Sequence, residues 1–134
     1  MKRTALLIMA VFALALSAIC QKKTSIEVLY FKAPLPCCKA RACSALQGDV
    51  DSVVVKYFSK ENAVFKSLSL ADTANNKLAE KYKAAPQTVV IVKRKKKKET
   101  SRDLTPILQT YKANRDKAAF EREMKQAISE FLKS

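Results

Sequence analysis

Hydrophobic and polar residues follow two different periods along the chain, and the alternation predicts strands separated by helices. An almost wholly apolar run predicts a strand at 26–31, alternation predicts one at 63–70, and a β-branched run predicts one at 87–93. An edge strand is expected at 99–103, after a basic turn. Apolar residues at three- and four-residue steps predict helices at 39–59 and 114–132. A short helix follows Asp72 or Thr73, either of which can cap it, and runs to Tyr82. The pattern leaves 104–112 unassigned.

The order β-α-β-α-β-β-α predicts an α/β protein with a thioredoxin-like fold. Strands that are separated by helices need crossover connections, so we expect a central mixed sheet of about four strands flanked by helices. The chain has 134 residues, which is room for one domain, predicted at 26–134 after a polar linker at 21–25.

The amino terminus has the pattern of a secretion signal. Lys2 and Arg3 precede an apolar run at 5–16, and the small residues Ser17 and Ala18 follow it. The run is shorter than the roughly 20 residues of a membrane-spanning helix. We therefore expect residues 1–20 to direct export to a bacterial cell envelope, where the protein is periplasmic or lipid-anchored. Cys20 leaves both options open, because 16–20 is similar to a lipoprotein cleavage site except at Ile19.

The charge is strongly basic, with a formal net charge of +14. An exported protein rarely meets nucleic acid, so anionic lipid or solubility explains this charge better, and no nucleic-acid partner is expected. The basic run 93–98 is most simply a solvated hairpin turn at 94–98, and contact with lipid headgroups is the functional alternative. The chain has no histidine, which excludes Ser-His-Asp and Cys-His catalysis, and its one glycine excludes a glycine-rich phosphate loop.

Three cysteines lie close together where the first strand gives way to a helix: Cys37, Cys38 and Cys43. Pro34 and Pro36 prevent the helix from beginning before Cys37. Three thiolates that converge from a loop suit As(III), Sb(III) or Cu(I), whereas zinc usually needs a fourth ligand. Lys39, Arg41 and the helix amides should favour the thiolate form.

The same cysteines permit other chemistry. An envelope thiol-disulfide oxidoreductase would use Cys38 as the nucleophile and Cys43 or Cys37 as the resolving thiol, with a thiol or disulfide protein as partner. On a regular helix Cys38 and Cys43 point about 140° apart, so a bond between them needs an irregular first turn. A Cys38–Cys43 disulfide with a structural role, or a partner-binding module without thiol chemistry, completes the set of alternatives.

The segment Ala85-Pro86-Gln87-Thr88 is a second candidate element of the site. Thioredoxin-like proteins have a cis-proline loop beside their cysteines, directly before a strand. We therefore predict Pro86, Gln87 and Thr88 to lie near the cysteines, with a cis bond before Pro86 as the specific expectation; a trans bond is the alternative.

Two resemblances extend this interpretation. Tyr30-Phe31, residues 79–93 and residues 104–132 resemble the thioredoxin-like ArsF-type family of bacterial envelope proteins. That family usually has two cysteines separated by two residues; Cys38 matches the second, and Leu35 stands at the first. The resemblance implies the thioredoxin-like fold over nearly all of the mature chain.

The cysteine cluster is similar to that of the arsenic metallochaperone family ArsD, which is also thioredoxin-like. In that family two adjacent cysteines and a third one bind trivalent arsenic or antimony, and Cys37, Cys38 and Cys43 reproduce the spacing. This resemblance implies a metalloid site, while the predicted leader implies a location outside the cytosol.

Metabolic labelling with a fatty acid tests the lipid anchor. If Cys20 carries the lipid, the parent protein becomes labelled and the Cys20→Ser variant does not. Equal labelling of the two proteins would exclude lipidation at Cys20.

Overall fold

Four strands and four α-helices form the described part of the chain. The computed structural model describes residues 24–34 and 37–134, with the backbone alone for 37–40. The strands are β1 (Ser25–Lys32), β2 (Ala63–Ser69), β3 (Thr88–Lys95) and β4 (Lys98–Asp103). The helices are α1 (Cys37–Phe58), α2 (Asn76–Lys81), α3 (Thr105–Asn114) and α4 (Lys117–Lys133), with a 3₁₀ turn at Thr73–Asn75.

The predicted leader, Cys20 and most of the predicted linker lie outside the described residues. Within the described ranges, no helix is long and apolar enough to cross a membrane.

The strands form one mixed sheet in the order β2-β1-β3-β4. β1 is parallel to β2 and antiparallel to β3, and β3 is antiparallel to β4. In the central pair, Ser25 lies opposite Arg94 and Phe31 opposite Thr88. The prediction of an α/β protein with a four-stranded mixed sheet flanked by helices is therefore confirmed.

The two faces of the sheet are covered by different helices, because successive side chains of a strand point to opposite faces. Val28, Tyr30 and Ile91 pack in a large core with apolar residues of α1, α3 and α4. Leu29 and Phe31 pack on the other face with residues of α2. The sequence also predicts five core aromatics, and the structure confirms them: Tyr30, Phe58, Phe120 and Phe131 are buried, and Phe65 is partly buried.

Two predicted boundaries near functional segments need correction. α1 begins at Cys37, as the prolines predict, so the backbone of Cys37 and Cys38 is helical and the expectation that the cysteines converge from a loop is wrong. The basic turn is also shorter than the predicted 94–98. β3 continues to Lys95 and β4 begins at Lys98, because backbone pairing extends to the Lys95–Lys98 pair and only Lys96 and Lys97 form the turn.

The unassigned segment 104–112 belongs to α3, and the predicted helix at 114–132 begins three residues later than expected. Arg115 has a left-handed backbone with φ of 58°, which ends α3. The Asp116 side chain then accepts a hydrogen bond from the amide of Ala119 and caps α4. The left-handed Arg115 and the Asp116 cap thus separate α3 from α4.

A cluster of charged side chains links β1, β3 and β4. Arg94 binds Glu27 and Glu99, and Glu99 also binds Lys81 and accepts a hydrogen bond from Tyr82. The hydrogen bond from Lys81, with those from Tyr82 and Arg94, outweighs burial and lowers the pKa of Glu99 to about 2. Burial by itself would raise the pKa of Glu27. The hydrogen bonds and charges of Lys66 and Arg94 lower it by more, so the pKa is lower than the ordinary value.

Val50 and Val55 of α1 give a matched test of the core. Val50 is fully buried and Val55 is 62% exposed. We expect Val50→Ala to lower the free energy of unfolding by about 2 kcal/mol, because it removes buried methyl groups and leaves a cavity. Val55→Ala on the same helix should change it by less than about 0.5 kcal/mol. Urea unfolding measures both, and equal losses would contradict the packing of α1.

Glu99 should make stability depend on acid. Because folding lowers its pKa, the stabilisation is complete above the ordinary value of 4.5 and is lost as the pH falls towards about 2. In Glu99→Gln, the free energy of unfolding should therefore fall less steeply over that pH range than in the parent. Glu123→Gln, at an exposed position of α4, is the control and should keep the parent's slope. Parallel curves for parent and Glu99→Gln would refute the role of this cluster.

Candidate functional site

Cys43 lies in the second turn of α1, at the end of the sheet where β1 finishes and β3 begins. Its side chain is partly exposed and is a free thiol. It lines a cleft of about 330 Å³ with residues of the β1–α1 segment, Gln47 and Ser69. It also lines a second cleft of about 470 Å³ with Pro86, Gln87 and residues of α3. The thiol therefore lies between two open clefts, where a small ligand can reach it.

Gln87 holds the Cys43 sulfur in place. The side-chain Nε2 of Gln87 donates a hydrogen bond to Sγ at 3.0 Å, and its Oε1 accepts one from Lys112 Nζ at 2.9 Å. The lysine charge polarises the amide and strengthens its donor end, because hydrogen bonds in a chain reinforce one another. The Gln87 side chain thus directs a hydrogen-bond donor at the sulfur from the side of the second cleft.

A tight turn places Gln87 beside the thiol. The amide of Thr88 donates to the Ala85 carbonyl at 3.0 Å, and Gln87 has φ of 67° at the third position of this four-residue turn. The backbone N–H of Gln87 also donates to the backbone carbonyl of Phe31 at 2.7 Å and fixes the turn to the end of β1. Proline at the second position followed by a residue with positive φ is the pattern of a type II turn.

The expectation of a cis bond before Pro86 is wrong, since no cis peptide bond occurs in the described part of the chain. The physical reason is the turn itself. Its second position has the φ that a trans proline supplies, and the left-handed Gln87 completes the reversal, whereas a cis proline would occupy the third position. Thr88 is buried and its hydroxyl accepts a hydrogen bond from the Ala85 backbone amide, so it stabilises the turn.

Tyr30 lies beneath the Cys43 backbone, on the core side of the site. It is fully buried, and its hydroxyl donates to the backbone carbonyl of Cys43 at 3.5 Å. Burial, with a smaller contribution from the nearby Cys43 thiol, raises the pKa of Tyr30 to about 12. The phenol therefore stays neutral at physiological pH and anchors the helix backbone without acting as a base.

Helix α3 makes the second cleft basic. Lys112 and Arg115 line it, together with the amides of Gln87 and Gln109. Sequence reasoning identified Gln87 but missed these α3 residues, because the pattern at 104–112 assigned no element there. No local motif marks them; only the packing of α3 beside the Pro86 turn brings them to the thiol.

The other predicted cysteines begin the same helix. For Cys37, Cys38 and Lys39 the structure gives the backbone, in the first turn of α1. On a regular helix, positions 37 and 38 lie about 120° and 140° around the axis from position 43. Arg41 is exposed, and as a residue two positions from Cys43 it does not face the thiol. Among side chains that are described, no group of three histidine, cysteine or carboxylate residues converges.

Comparisons with known proteins found no match: no family model, no curated protein and no solved structure is significantly similar to this chain.

The Gln87–Cys43 hydrogen bond predicts the reactivity of the thiol. In Gln87→Asn the shorter side chain withdraws its amide from Sγ, while asparagine still tolerates the left-handed backbone. We expect alkylation of Cys43 by iodoacetamide at neutral pH to slow about fivefold, the equivalent of one hydrogen bond of about 1 kcal/mol. Mass spectrometry of the Cys43 peptide measures the rate.

Gln109→Ala is the matched control, because Gln109 lines the same cleft and makes none of the bonds described for Gln87. Its alkylation rate should equal that of the parent. An unchanged rate in Gln87→Asn would show that the amide does not activate the sulfur.

Proposed function

We propose that this chain is a thioredoxin-like thiol protein that binds a thiophilic metalloid, As(III) or Sb(III), through Cys43 together with Cys37 and Cys38. The observation that carries the proposal is the Cys43 sulfur, held partly exposed between two clefts by Gln87, on a helix that begins with two further cysteines. Cu(I) has the same preference for sulfur ligands and is the competing ion.

The strand order supports the thioredoxin-like part of the proposal. A parallel β1-β2 pair, an antiparallel β3-β4 hairpin beside β1, and helices on both faces agree with the fold that the element order predicts. The cysteine segment follows β1, and the Pro86 turn precedes β3 at the same end of the sheet. A trans bond at Pro86 is the departure from the expected pattern.

The helical backbone favours metalloid binding over disulfide chemistry. On a regular helix, Cα atoms five or six positions apart are separated by about 9–10 Å, whereas a disulfide needs about 4.4–6.8 Å. In a disulfide the two sulfur atoms are about 2.05 Å apart. Two sulfur atoms that each lie about 2.3 Å from one metal ion are further apart than this, so a metal site can join cysteines whose backbones are more widely separated. The oxidoreductase alternative therefore requires the larger rearrangement of α1.

Some rearrangement is still needed to bring three sulfurs together, and the first turn of α1 is where it is easiest. The first four amides of a helix have no intrahelical partners, so residues 37–40 unwind at a lower cost than the turns in the middle of α1. We propose that metalloid binding opens this turn and draws Cys37 and Cys38 towards the clefts beside Cys43. The later turns, anchored by Leu46 and Val50 in the core, stay in place.

The chemistry is ligand exchange without electron transfer. Arsenous acid loses three hydroxyl groups as water, taking the protons of three thiols, and three As–S bonds form while arsenic remains trivalent. The side-chain amide of Gln87, which binds both Cys43 Sγ and Lys112 Nζ, holds the sulfur at the clefts where this exchange would occur. The predicted leader sets this chemistry in the bacterial cell envelope, as a periplasmic or lipid-anchored protein.

Native mass spectrometry of the reduced full chain with arsenite tests the proposal. We expect uptake of one arsenic with loss of three hydrogens, and at least tenfold weaker uptake in Cys43→Ser, because one of three strong bonds is lost. Ser44→Ala, beside Cys43 on the same helix, is the control and should bind as the parent does.

Three results would contradict the proposal: no arsenic uptake by the reduced parent, equal uptake in Cys43→Ser, or uptake that depends on Cys20. Faster hydrogen exchange at the start of α1 when arsenite is bound, with the sheet unchanged, is the expected sign of the opened turn. Cysteine-dependent reduction of insulin without metalloid uptake would favour the oxidoreductase instead.

A further inference from the structure

The sheet has two chemically different ends. The thiol site lies where β1 ends and β3 begins. At the opposite end β1 starts, and the β3–β4 hairpin turns at Lys96 and Lys97. β3 spans eight residues, so the two ends are about 23 Å apart at 3.3 Å per residue. Because Ser25 pairs with Arg94, the start of β1 lies beside the hairpin turn.

The hairpin turn concentrates positive charge. Four consecutive lysines, Lys95 to Lys98, are all exposed. Lys96 has φ of 56° in a two-residue turn, a position where glycine, asparagine or aspartate is conformationally favoured. A lysine at this position is not explained by the stability of the turn, so a role for its charge is the simpler reason for its presence.

These lysine charges are not neutralised by the ion pairs of the described residues. The nearby carboxylates Glu27 and Glu99 bind Arg94, and they also bind Lys66 and Lys81 respectively. None of the ion pairs among the residues that the structure describes includes Lys95, Lys96, Lys97 or Lys98. The two nearby carboxylates are therefore already paired with other basic residues, and the four lysines remain exposed to solvent.

We propose that the hairpin end of the sheet, residues 95–98, is a docking surface for an anionic lipid bilayer, and that it orients the thiol site away from that bilayer. A protruding turn of flexible lysines suits a broad anionic surface, because each ammonium acts as a point charge that needs no fixed partner geometry.

Lipid is favoured over nucleic acid by what the hairpin lacks. Residues 93–103 contain no aromatic side chain on which a base could stack, and Arg94 is already bound to two carboxylates. A bilayer needs neither feature. This inference is independent of the thiol chemistry, and its test does not use the cysteines.

The test is the binding of the full chain to vesicles of phosphatidylcholine alone and of equal parts phosphatidylcholine and phosphatidylglycerol. The ratio of the two affinities isolates the electrostatic contribution, because the apolar amino-terminal run contributes to both. Lys96→Gln/Lys97→Gln/Lys98→Gln should lower this ratio by about 100-fold, since each lysine near an anionic surface contributes about fivefold.

Lys77→Gln/Lys83→Gln/Arg122→Gln is the matched control, because it removes the same charge from exposed positions outside the hairpin. It should lower the ratio only a few fold. Protection from an amine-reactive reagent gives a second readout: anionic vesicles should protect lysines 95–98 and leave Lys77 and Lys83 reactive.

Circular dichroism spectra equal to that of the parent establish that both triple variants are folded. Equal losses in the two triple variants, or protection of Lys77 and Lys83 instead of the hairpin, would overturn the proposal. Tighter binding to duplex DNA than to anionic vesicles at the same ionic strength, lost in the hairpin variant, would assign this surface to nucleic acid and also overturn it.

Discussion

The antiparallel pairing of β1 with β3 is the constraint on which the rest of the structure depends. Both strands are covered on two faces, and Val28, Tyr30 and Ile91 are fully buried between the sheet and its larger helical layer. The register sets Phe31 opposite Thr88, so the turn before β3 must lie beside the segment after β1. The direct result is the 2.7 Å hydrogen bond from the backbone N–H of Gln87 to the Phe31 carbonyl. This bond holds the Gln87 side chain beside the helix that carries Cys43.

That juxtaposition determines what the thiol can do. Cys43 is neither sealed in the core nor fully solvated; it receives a hydrogen bond from an amide that Lys112 polarises, and Tyr30 holds the helix backbone beneath it. The helix that carries the thiol is rigid where Leu46 and Val50 enter the core and weakest at its first turn. The proposed metalloid site rests on this difference, because a disulfide would demand a closer approach of two backbone segments than shared bonds to one ion.

The same strand pairing separates the thiol from the excess of lysines. An antiparallel hairpin necessarily turns at the end of the sheet opposite the start of β3. There Arg94 binds the carboxylates of Glu27 and Glu99, and the lysines of the turn take no part in these ion pairs. The strongly basic composition is therefore not uniform in its effect. Part of it forms internal ion pairs, part of it lies beside the thiol cleft at Lys112 and Arg115, and part of it projects from the hairpin.

The sequence by itself determined the strands, the long first helix and the core aromatics, because burial of apolar residues with periods of 2 and 3.6 is a local pattern. It also identified Cys43 and Gln87, while 104–112 stayed unassigned and a cis bond was wrongly expected before Pro86. Only the tertiary structure decided the bond between Gln87 and Cys43, the left-handed turn that keeps Pro86 trans, and the basic residues that α3 supplies. These features join residues up to 44 positions apart, and their geometry arises from strand register and helix packing, which no local pattern of residues encodes.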